Sequence, residues 1–401
     1  MNILIDLRPL MGGKISGVEV YIHHLLENLL AIDSRNTYIL FLNAYSDQSK
    51  FITNFQRKNV VVVQTRIPNK LLNLSLSLLR RPRLDRLVLA FLKRRNRMNL
   101  KTPPIDHVDL FFMPDLRLSA LSKGVKKVMT VHDLAFEHFP HFFSRKTRFW
   151  YKILHPKREI KLSDKVIAVS KSTADDLMKT YSISASKIEI VYEGVDEDFG
   201  EKIDQSMLEK IKKKYQLPSK YFLCLSTLEP RKNLSRLLEA FMLFKKKNPN
   251  EPIKLVIAGK EQSKIFSQFH LPHTDEVILS GFIDEQDKAA VMKGAVAFLY
   301  PSLFEGFGLP LVEAMQAGVP IMTSRESSMA EIVDAAALIV DPYNVEEMAQ
   351  TLEKILLPEV KGVLTAKMNE RVKIFRWKKC AQTTLGIFNL PPQFRGRKPA
   401  G

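Results

Sequence analysis

The stretch from Tyr300 to Pro320, YPSLFEGFGLPLVEAMQAGVP, brings two carboxylates together with a glycine-rich turn. Glu305 lies just before the turn, Glu313 follows eight residues later, and Pro310 between them suits the first turn of a helix. The amides of residues 306–309 would then stand at a helix N-terminus, where they can bind an anion such as a diphosphate. A carboxylate repels phosphate. Beside such a site, the role of a carboxylate would be to accept hydrogen bonds from the hydroxyls of a sugar or ribose.

Two cations and a histidine occur at comparable positions elsewhere in the chain. Arg231 and Lys232 lie between a predicted strand and a predicted helix, in TLEPRKN, and two cations there suit a diphosphate. An isolated Arg-Lys pair is more often a solvated helix start. His132, in TVHD, ends a predicted strand, which is where open α/β sheets bind ligands, although an ordinary loop histidine fits this position equally well.

The elements that must position these residues form two series of alternating apolar runs and helical stretches. The first series begins with a buried strand at Asn2–Asp6 and a glycine loop at residues 8–17, and the second begins at Tyr221. This alternation predicts an α/β protein with two parallel sheets, joined near residues 200–205. The predicted domains are 1–200 and 201–371.

Several other site types are disfavoured by the sequence. The loop around Gly12 and Gly13 lacks the glycine spacing of a Walker phosphate loop, and the chain contains no GxGxxG motif. Cys224 and Cys380 stand far apart without metal-like spacing, so neither a disulfide framework nor a zinc site is predicted.

Residues 305–320 resemble the signature EGFGLPxxEAMxxGxP of the retaining nucleotide-sugar glycosyltransferases of family 4. Three further segments resemble the same family, namely HDL with a following FP from His132, AVSKSTADDL at 168–177, and VYEGVDEDF at 191–199. The resemblance covers almost the full chain. It implies the GT-B fold, two Rossmann-like domains facing across a cleft, with a C-terminal helix at 372–390 packing back on the first domain.

The resemblance also implies a role for each candidate residue. Arg231 and Lys232, with the amides of Gly308 and Leu309, would stabilise the departing nucleoside diphosphate, while Glu305 and His132 would contact the sugar. Glu313 would accept from the ribose hydroxyls. The other implied donor-binding positions are Gly17, Gly259, Ile283, Gly306 and Phe307. Many members of the family carry an additional arginine near the position of Ser226, and this chain has none there.

No cofactor and no metal are expected. Asp196-Glu197-Asp198 matches the acidic triplet by which another glycosyltransferase fold holds manganese, but in this chain it falls at the predicted interdomain turn. Phosphate neutralisation is assigned to side chains and a helix terminus instead. The family is generally thought to retain anomeric configuration by front-face attack, with the leaving phosphate assisting as base.

The net charge of +18 favours an anionic partner, and the segment Arg80–Lys101 carries nine cations and one acid. Leu84, Leu87, Val88, Phe91 and Leu92 form a stripe at helical spacing within this segment, which predicts a helix lying on an anionic membrane surface. The alternative is a helix packed on the first domain with a solvated basic face. With no signal peptide evident, the expected location is cytoplasmic, peripheral on the membrane.

The predicted function is transfer of a hexosyl group, mannosyl from GDP-mannose above others, to a lipid-linked or polysaccharide glycan in cell-surface glycan biosynthesis. One alternative is a nucleotide-sugar epimerase of the same two-domain shape, which the EGFGLP signature disfavours. The other is a basic nucleic-acid-binding protein, although no recognised nucleic-acid module accompanies the charge. Nucleic acid is therefore not an expected partner.

Overall fold

The computed structural model of the protein describes residues 1–12, 17–45, 53–97, 105–225, 229–259 and 274–390. Two separate parallel sheets organise these residues, one in each half of the chain. This confirms the predicted α/β class with two Rossmann-like domains.

The N-terminal sheet has seven strands in the order β3-β2-β1-β4-β5-β6-β7. The strands are β1 (Asn2–Asp6), β2 (Thr37–Asn43), β3 (Val60–Thr65), β4 (Leu110–Met113), β5 (Lys126–Val131), β6 (Lys165–Ala168) and β7 (Ile188–Ile190). The helices of this half are α1 (Gly17–Ile32), α2 (Asn69–Leu78), α3 (Leu84–Arg97), α4 (Ala135–His138), α5 (Arg145–Leu154), α6 (Pro156–Lys161) and α7 (Lys171–Tyr181).

The C-terminal sheet has six strands in the order β10-β9-β8-β11-β12-β13. The strands are β8 (Tyr221–Leu225), β9 (Lys254–Ala258), β10 (Val277–Gly281), β11 (Ala297–Tyr300), β12 (Ile321–Ser324) and β13 (Leu338–Val340). The helices are α8 (Gln205–Lys214), α9 (Leu234–Lys247), α10 (Glu285–Lys293), α11 (Leu309–Ala317), α12 (Met329–Val333), α13 (Val345–Lys354), α14 (Pro358–Arg371) and α15 (Trp377–Asn389).

Strand β1 shows why these sheets are buried on both faces. Ile3 and Ile5 pack into the core on the side of α1, while Leu4 between them packs into the core on the side of α3. A strand covered by helices on both sides needs consecutive apolar residues, which Ile3, Leu4 and Ile5 supply at the centre of β1. The glycine loop predicted after β1 differs from the structure at its start, because residues Arg8–Gly12 form a short 3-10 helix. Asp6 Oδ1 fixes this turn by accepting from the backbone amide of Arg8 at 3.1 Å.

Most of the apolar stripe predicted at residues 84–92 is covered by protein, although Phe91 is 38% exposed, and binding of this segment to an anionic membrane stays a prediction. Leu84, Val88 and Leu92 are at most 1% exposed, and they pack on the N-terminal core with β3. The packed-helix alternative describes α3 correctly, with Lys93 and Arg94 exposed on its other face. Residues 98–101 of the basic segment lie outside the described residues.

Helix α15 returns to the N-terminal domain after the second sheet is complete and packs against α1. Trp377 at its start stacks on His24 of α1, with ring centroids 5.0 Å apart. At its end, Lys126 Nζ donates to the carbonyls of Ile387 and Phe388 at 2.8 and 3.0 Å. The N-terminal domain therefore contains chain from both ends of the sequence. Among the described helices, none has the length and apolar character needed to cross a membrane.

Candidate active site

Glu305 lies at the centre of a buried cluster of charges in the C-terminal domain. Its Oε1 accepts from Lys232 Nζ at 2.6 Å, and its Oε2 accepts from Arg231 Nη1 at 2.7 Å. Lys232 also donates to the hydroxyl of Tyr300, at the end of β11, at 2.7 Å. Burial by itself would raise the pKa of Glu305, but the charges of Arg231 and Lys232 outweigh it and lower the pKa to about 2. Glu305 is therefore ionised at neutral pH and is paired with two cations, of which Arg231 also pairs with Glu229 at 2.8 Å.

The cluster is formed at the carboxyl edge of the sheet by two loops that are distant in sequence. Arg231 and Lys232 form a short 3-10 turn after β8, and the carbonyl of Arg231 accepts from the amide of Leu303 at 2.7 Å. Two serines hold the loop of Glu305 from the other side. Ser327 Oγ accepts from the amide of Glu305 at 2.8 Å, and Ser328 Oγ donates to the carbonyl of Glu305 at 2.9 Å.

Glu313 lies on α11, which begins directly after the glycine turn as the sequence predicted. Its side chain is buried, and Oε1 accepts from Lys288 Nζ of α10 at 2.6 Å. Oε2 is also buried and has no hydrogen-bond partner among the described residues. Burial raises the pKa of Glu313, and the charge of Lys288 opposes the rise. A buried acceptor without a partner costs free energy, so this oxygen is suited to a donor brought by a ligand.

The two domains contact each other at the glycine turn. A Cβ atom built on Gly306 would lie 1.7 Å from the carbonyl oxygen of His132, so only glycine fits between the loops. The carbonyl of Gly306 accepts from Ser170 Oγ at 2.6 Å. Gly308 caps α11 with φ at 96°, a left-handed conformation that favours glycine. Gly306 is thus required by interdomain packing, and Gly308 by its backbone angle.

His132 contacts the site through its backbone rather than its ring. Nε2 lies 3.0 Å from the carbonyl oxygen of Pro114, and Nδ1 lies 3.5 Å from Glu193 Oε1. Burial by itself would lower the pKa of His132. The contacts with Glu193 have the opposite effect and outweigh burial, so the pKa of His132 is raised. Both ring nitrogens face protein acceptors, so the contact of this ring with the sugar stays a prediction.

The remaining predicted donor positions are divided between the two domains. Gly259 follows β9, and its amide donates to the carbonyl of Gly281 at 2.8 Å. Ile283 follows β10 and is buried in the core, as is Phe307 in the glycine turn. Gly17 starts α1 in the other domain. The position near Ser226, where the family's extra arginine would stand, lies outside the described residues.

A cavity of about 620 Å³ lies between the two domains beside the Glu305 loop. Its lining includes Lys171 and Ser172 of the N-terminal domain and Ser327 of the C-terminal domain. Glu331 of α12 joins the two domains here, because its oxygens accept from the amides of Lys171 and Ser172 at 2.7 and 2.8 Å. These amides begin α7, whose partial positive charge favours a carboxylate.

Sequence reasoning missed Lys288, Glu193, Ser328 and Glu331. Their roles depend on elements that dock from elsewhere in the chain, and none carries a local signal. Ser170 was foreseen as a helix cap, one of two serines proposed for that place, and it does cap α7 by accepting from the amide of Thr173 at 3.0 Å. Its second contact, with Gly306 across the cleft, was not foreseen.

One histidine cluster could hold a metal, and it lies on α1 rather than in the Glu305 cluster. The ligand atoms of His23, His24 and Glu27 lie within 4.8 Å of one another. His24 Nε2 also lies 3.2 Å from Asp196 Oδ2, the first residue of the acidic triplet. The neighbours of the cluster are Phe55 and Trp377.

Comparison with known proteins agrees with this geometry. The family model described as Glycosyltransferase Family 4 matches residues 15–199, and the model described as Glycosyl transferases group 1 matches residues 207–373. The crystal structure of Anabaena Alr3699/HepE in complex with UDP and glucose is similar in fold, with a TM-score of 0.66 and 17% identity over 96% of this chain and 99% of that one.

Two curated relatives from Escherichia coli are also similar. The O-antigen chain mannosyltransferase B is 27% identical over 272 residues, covering 66% of this chain and 70% of that protein. The serotype-specific mannosyltransferase WbdA is 29% identical over 210 residues, covering 50% of this chain but only 25% of that protein. Two family models that together span both domains, with the GT-B architecture, show that the chain belongs to the glycosyltransferases of group 1 and family 4 and is a sugar-transferring enzyme.

Proposed function

We propose that the protein is a retaining transferase that moves a mannosyl group from GDP-mannose to a lipid-linked or polysaccharide glycan of the cell surface. The buried cluster of Arg231, Lys232 and Glu305 carries this proposal. Its two cations stand beside the N-terminus of α11, in the domain that the group 1 model matches. The choice of mannose rests on the printed names of the two Escherichia coli relatives.

The reaction needs stabilisation of the charge that develops on the departing diphosphate. When the bond between the anomeric carbon and the phosphate oxygen breaks, the electron pair leaves with the nucleoside diphosphate. Arg231 and Lys232 are held by Glu305, so they need little rearrangement as this charge grows, which is the condition for effective electrostatic catalysis. The amides of Gly308 and Leu309 would add their dipoles at the same place.

Glu305 is a poor candidate for a covalent nucleophile. Both its oxygens accept from cations, and its pKa of about 2 makes the carboxylate weakly basic. We therefore favour front-face attack, with the acceptor hydroxyl losing its proton to the leaving phosphate. Each oxygen of Glu305 can accept a second hydrogen bond, which leaves room for a sugar hydroxyl.

Glu313 is assigned to the ribose of the donor. Oε1 is held by Lys288, so the carboxylate is fixed in direction, while Oε2 is the buried oxygen without a partner. A ribose hydroxyl would satisfy that oxygen and remove the cost of leaving it unpaired.

We further propose that the enzyme works at the cytoplasmic face of the membrane. Most of the apolar stripe of α3 is buried, so attraction by this segment would rest mainly on charge, through exposed cations such as Arg86, Lys93 and Arg94. No metal is assigned a role in the transfer, and no nucleic acid is assigned as a partner.

The decisive experiment is donor hydrolysis, which needs no acceptor. The purified protein is incubated with radiolabelled GDP-mannose, UDP-glucose and UDP-N-acetylglucosamine, and release of free sugar is followed. We expect slow hydrolysis, fastest with GDP-mannose, and an initial product of the same anomeric configuration as the donor, read by NMR. Failure to hydrolyse any of the three would count against the donor assignment, and an inverted product would rule out retention.

A further inference from the structure

The N-terminal domain contains a second, larger cavity, of about 1530 Å³, between α4, α5, α6 and α7. Its lining is strongly basic. Exposed cations come from two consecutive helices, Arg145, Arg148 and Lys152 from α5, and Lys157, Arg158 and Lys161 from α6. The one acid in the lining, Glu137, accepts from the hydroxyl of Tyr181.

None of these six cations pairs with a carboxylate in the part of the chain that the structure describes. Like charges brought into one concavity repel each other and raise the local positive potential. Aromatic rings accompany the charges, because Phe136 and Tyr151 stack at 4.0 Å and Phe149 is 65% exposed. The lining therefore suits a ligand that carries several negative charges together with an apolar part.

Helix α2 presents an exposed apolar face next to this cavity. Leu71, Leu74 and Leu78 are 59, 54 and 71% exposed, and their spacing places them on one side of the helix. Leu72 and Leu76, on the opposite side, are buried in the core. We call Leu71, Leu74, Leu78 and the adjoining Leu79, which is 69% exposed, the leucine ridge. A helix that is already anchored by one apolar face does not need a second one for folding.

The helix that carries the leucine ridge contacts two helices of the basic cavity. The end of α2 contacts α5, because Ser77 Oγ donates to the carbonyl of Ile153 at 3.4 Å. Arg80, just after the ridge, pairs with Glu159 of α6. The two helices that supply the cavity's cations are thus the same two that support the end of α2.

The cavity also borders the predicted catalytic loop. Helix α4, which contributes Phe136 and Glu137 to the lining, begins two residues after Asp133. Asp133 Oδ1 accepts from the amide of Ala135 at 3.0 Å, so the start of α4 is tied to the loop of His132. A ligand held in the cavity would therefore lie within reach of the interdomain cleft.

We propose that the basic cavity binds the diphosphate of a membrane lipid while the leucine ridge enters the bilayer beside it. The cations neutralise the diphosphate, and the apolar chain of the lipid continues past the ridge into the membrane. Charge complementarity selects this occupant, since a neutral glycan would leave the cations unpaired and a soluble anion would leave the ridge exposed. The inference rests on the proposed function, because such a lipid would carry the glycan that accepts the sugar.

Vesicle flotation without any sugar donor tests the proposal. Three vesicle types are compared: phosphatidylcholine alone, phosphatidylcholine with a polyprenyl diphosphate, and phosphatidylcholine with phosphatidylglycerol at equal total charge. We expect binding to the polyprenyl diphosphate vesicles to be about tenfold tighter than to the phosphatidylglycerol vesicles, because clustered cations match a diphosphate better than dispersed charge. Inorganic diphosphate should compete only partly, since it cannot replace the contribution of the ridge.

Two pairs of variants separate the cavity from the ridge. Arg148→Glu with Lys152→Glu should remove the preference for polyprenyl diphosphate, whereas Lys246→Glu with Lys247→Glu, the same charge change on exposed residues of α9, should keep it. Leu74→Ser with Leu78→Ser should weaken binding to polyprenyl diphosphate and phosphatidylglycerol vesicles alike. Its control, Leu357→Ser with Val363→Ser, changes two other exposed apolar residues, 43 and 55% exposed, and should bind as the unaltered protein does.

Equal binding to the two anionic vesicle types, or an unchanged preference in the Arg148 and Lys152 variant, would overturn the diphosphate site. Complete competition by inorganic diphosphate together with unchanged binding by the Leu74 and Leu78 variant would overturn the role of the ridge. Donor hydrolysis by the unaltered protein is independent of all these results. Vesicle binding can therefore contradict the lipid site while donor hydrolysis still supports the proposed function. In the same way, absence of donor hydrolysis would contradict the proposed function whatever the vesicles show.

Discussion

Arg231 and Lys232 are held at the site by a carboxylate rather than by a ligand. The ion pairs with Glu305, at 2.6 and 2.7 Å, keep two cations fixed in a buried place where they would otherwise repel each other. Removing any one member of such a cluster leaves an unbalanced buried charge. The three residues should therefore act as a unit, and single substitutions should not add independently.

The first prediction concerns the two cations. Arg231→Ala and Lys232→Ala should each raise the barrier of transfer by about 2 to 4 kcal/mol, the scale for losing one preorganised donor at a developing anion. Arg231→Lys should recover little, because Nη1 and Nε of Arg231 contact Glu305 and Glu229 simultaneously. Steady-state kinetics measure both effects, with Arg325→Ala as an exposed control. Near-normal rates in both alanine variants would show that the cations serve stability alone.

The second prediction concerns the pH dependence of stability. The pKa of Glu305 falls from its ordinary 4.5 to about 2 on folding, so its contribution is complete above about pH 4.5 and is lost as the pH falls towards 2. This depression corresponds to about 3 kcal/mol at neutral pH. Glu305→Gln should therefore destabilise the protein at pH 7, and the gap to the unaltered protein should close on acidification. Urea unfolding from pH 7 to pH 3 measures it, and a pH-independent gap would contradict the assignment.

The third prediction concerns Glu313 and the donor. Glu313→Ala should weaken donor binding by about 1.5 to 3 kcal/mol, the range for a hydrogen bond to a charged group, with a smaller effect on turnover. Glu313→Gln keeps an acceptor oxygen and the side-chain volume, so it should bind the donor more tightly than the alanine variant. Isothermal titration with GDP and with guanine, which lacks the ribose, is the measurement. Normal binding of GDP by the Glu313→Ala variant would contradict the assignment of Glu313 to the ribose.

At the scale of elements, the glycine turn and α11 combine two separate requirements in a few residues. Gly308 needs its positive φ to start the helix, and Gly306 needs its missing side chain to let the domains meet. The first requirement is local, while the second comes from the loop of His132 in the other domain. A turn that satisfies both couples the start of α11 to domain contact.

The fourth prediction tests this coupling. Gly306→Ala should prevent the domains from approaching as they do here, because the new Cβ would overlap the carbonyl oxygen of His132. We expect kcat/KM to fall by about 100-fold, the order reported for displacements of about 1 Å at a reacting site. Gly362→Ala is the matched control, since nothing lies within 4 Å of a Cβ there and alanine suits the interior of α14. Small-angle scattering should show the Gly306 variant to be more open, and equal activity of the two variants would refute the coupling.

At the scale of the whole molecule, the two domains meet at the glycine turn, and the last helix of the chain returns to the first domain. Helix α15 packs on α1, and the residues that link the domains, including the acidic triplet from Asp196, lie at this junction rather than in the Glu305 cluster. A cation bound near His24 and Asp196 would act on the junction between the domains. In the proposed mechanism, the cations that act at Glu305 are Arg231 and Lys232.

The fifth prediction follows from this separation. Donor hydrolysis should survive chelation by EDTA, because neutralisation of the diphosphate is assigned to Arg231, Lys232 and the start of α11. His24→Ala is a useful companion variant, since it removes one member of the histidine cluster without touching Glu305. Loss of activity on chelation, restored by manganese, would falsify the metal-free assignment. Asp196 and Asp198 would then be the candidate metal ligands.

The sequence by itself determined the elements and most of the candidate residues. Buried strands such as NILID, the glycine turn and the start of α11 depend on interactions between residues close in the chain, so local pattern predicts them. Glu305, Arg231 and Lys232 were chosen by position at strand ends, and the structure brings them into contact.

Only the tertiary structure decided which partners these residues have. Lys288 on Glu313, Glu193 on His132 and the carbonyl of His132 against Gly306 join segments that are distant in the chain. The two apolar helices after β3 make the same point. Most of the stripe of α3 is buried, whereas α2 buries Leu72 and Leu76 and leaves other leucines exposed. Periodicity says that a helix has an apolar face, but what covers that face depends on how the domain packs, and that is settled by contacts across the whole chain.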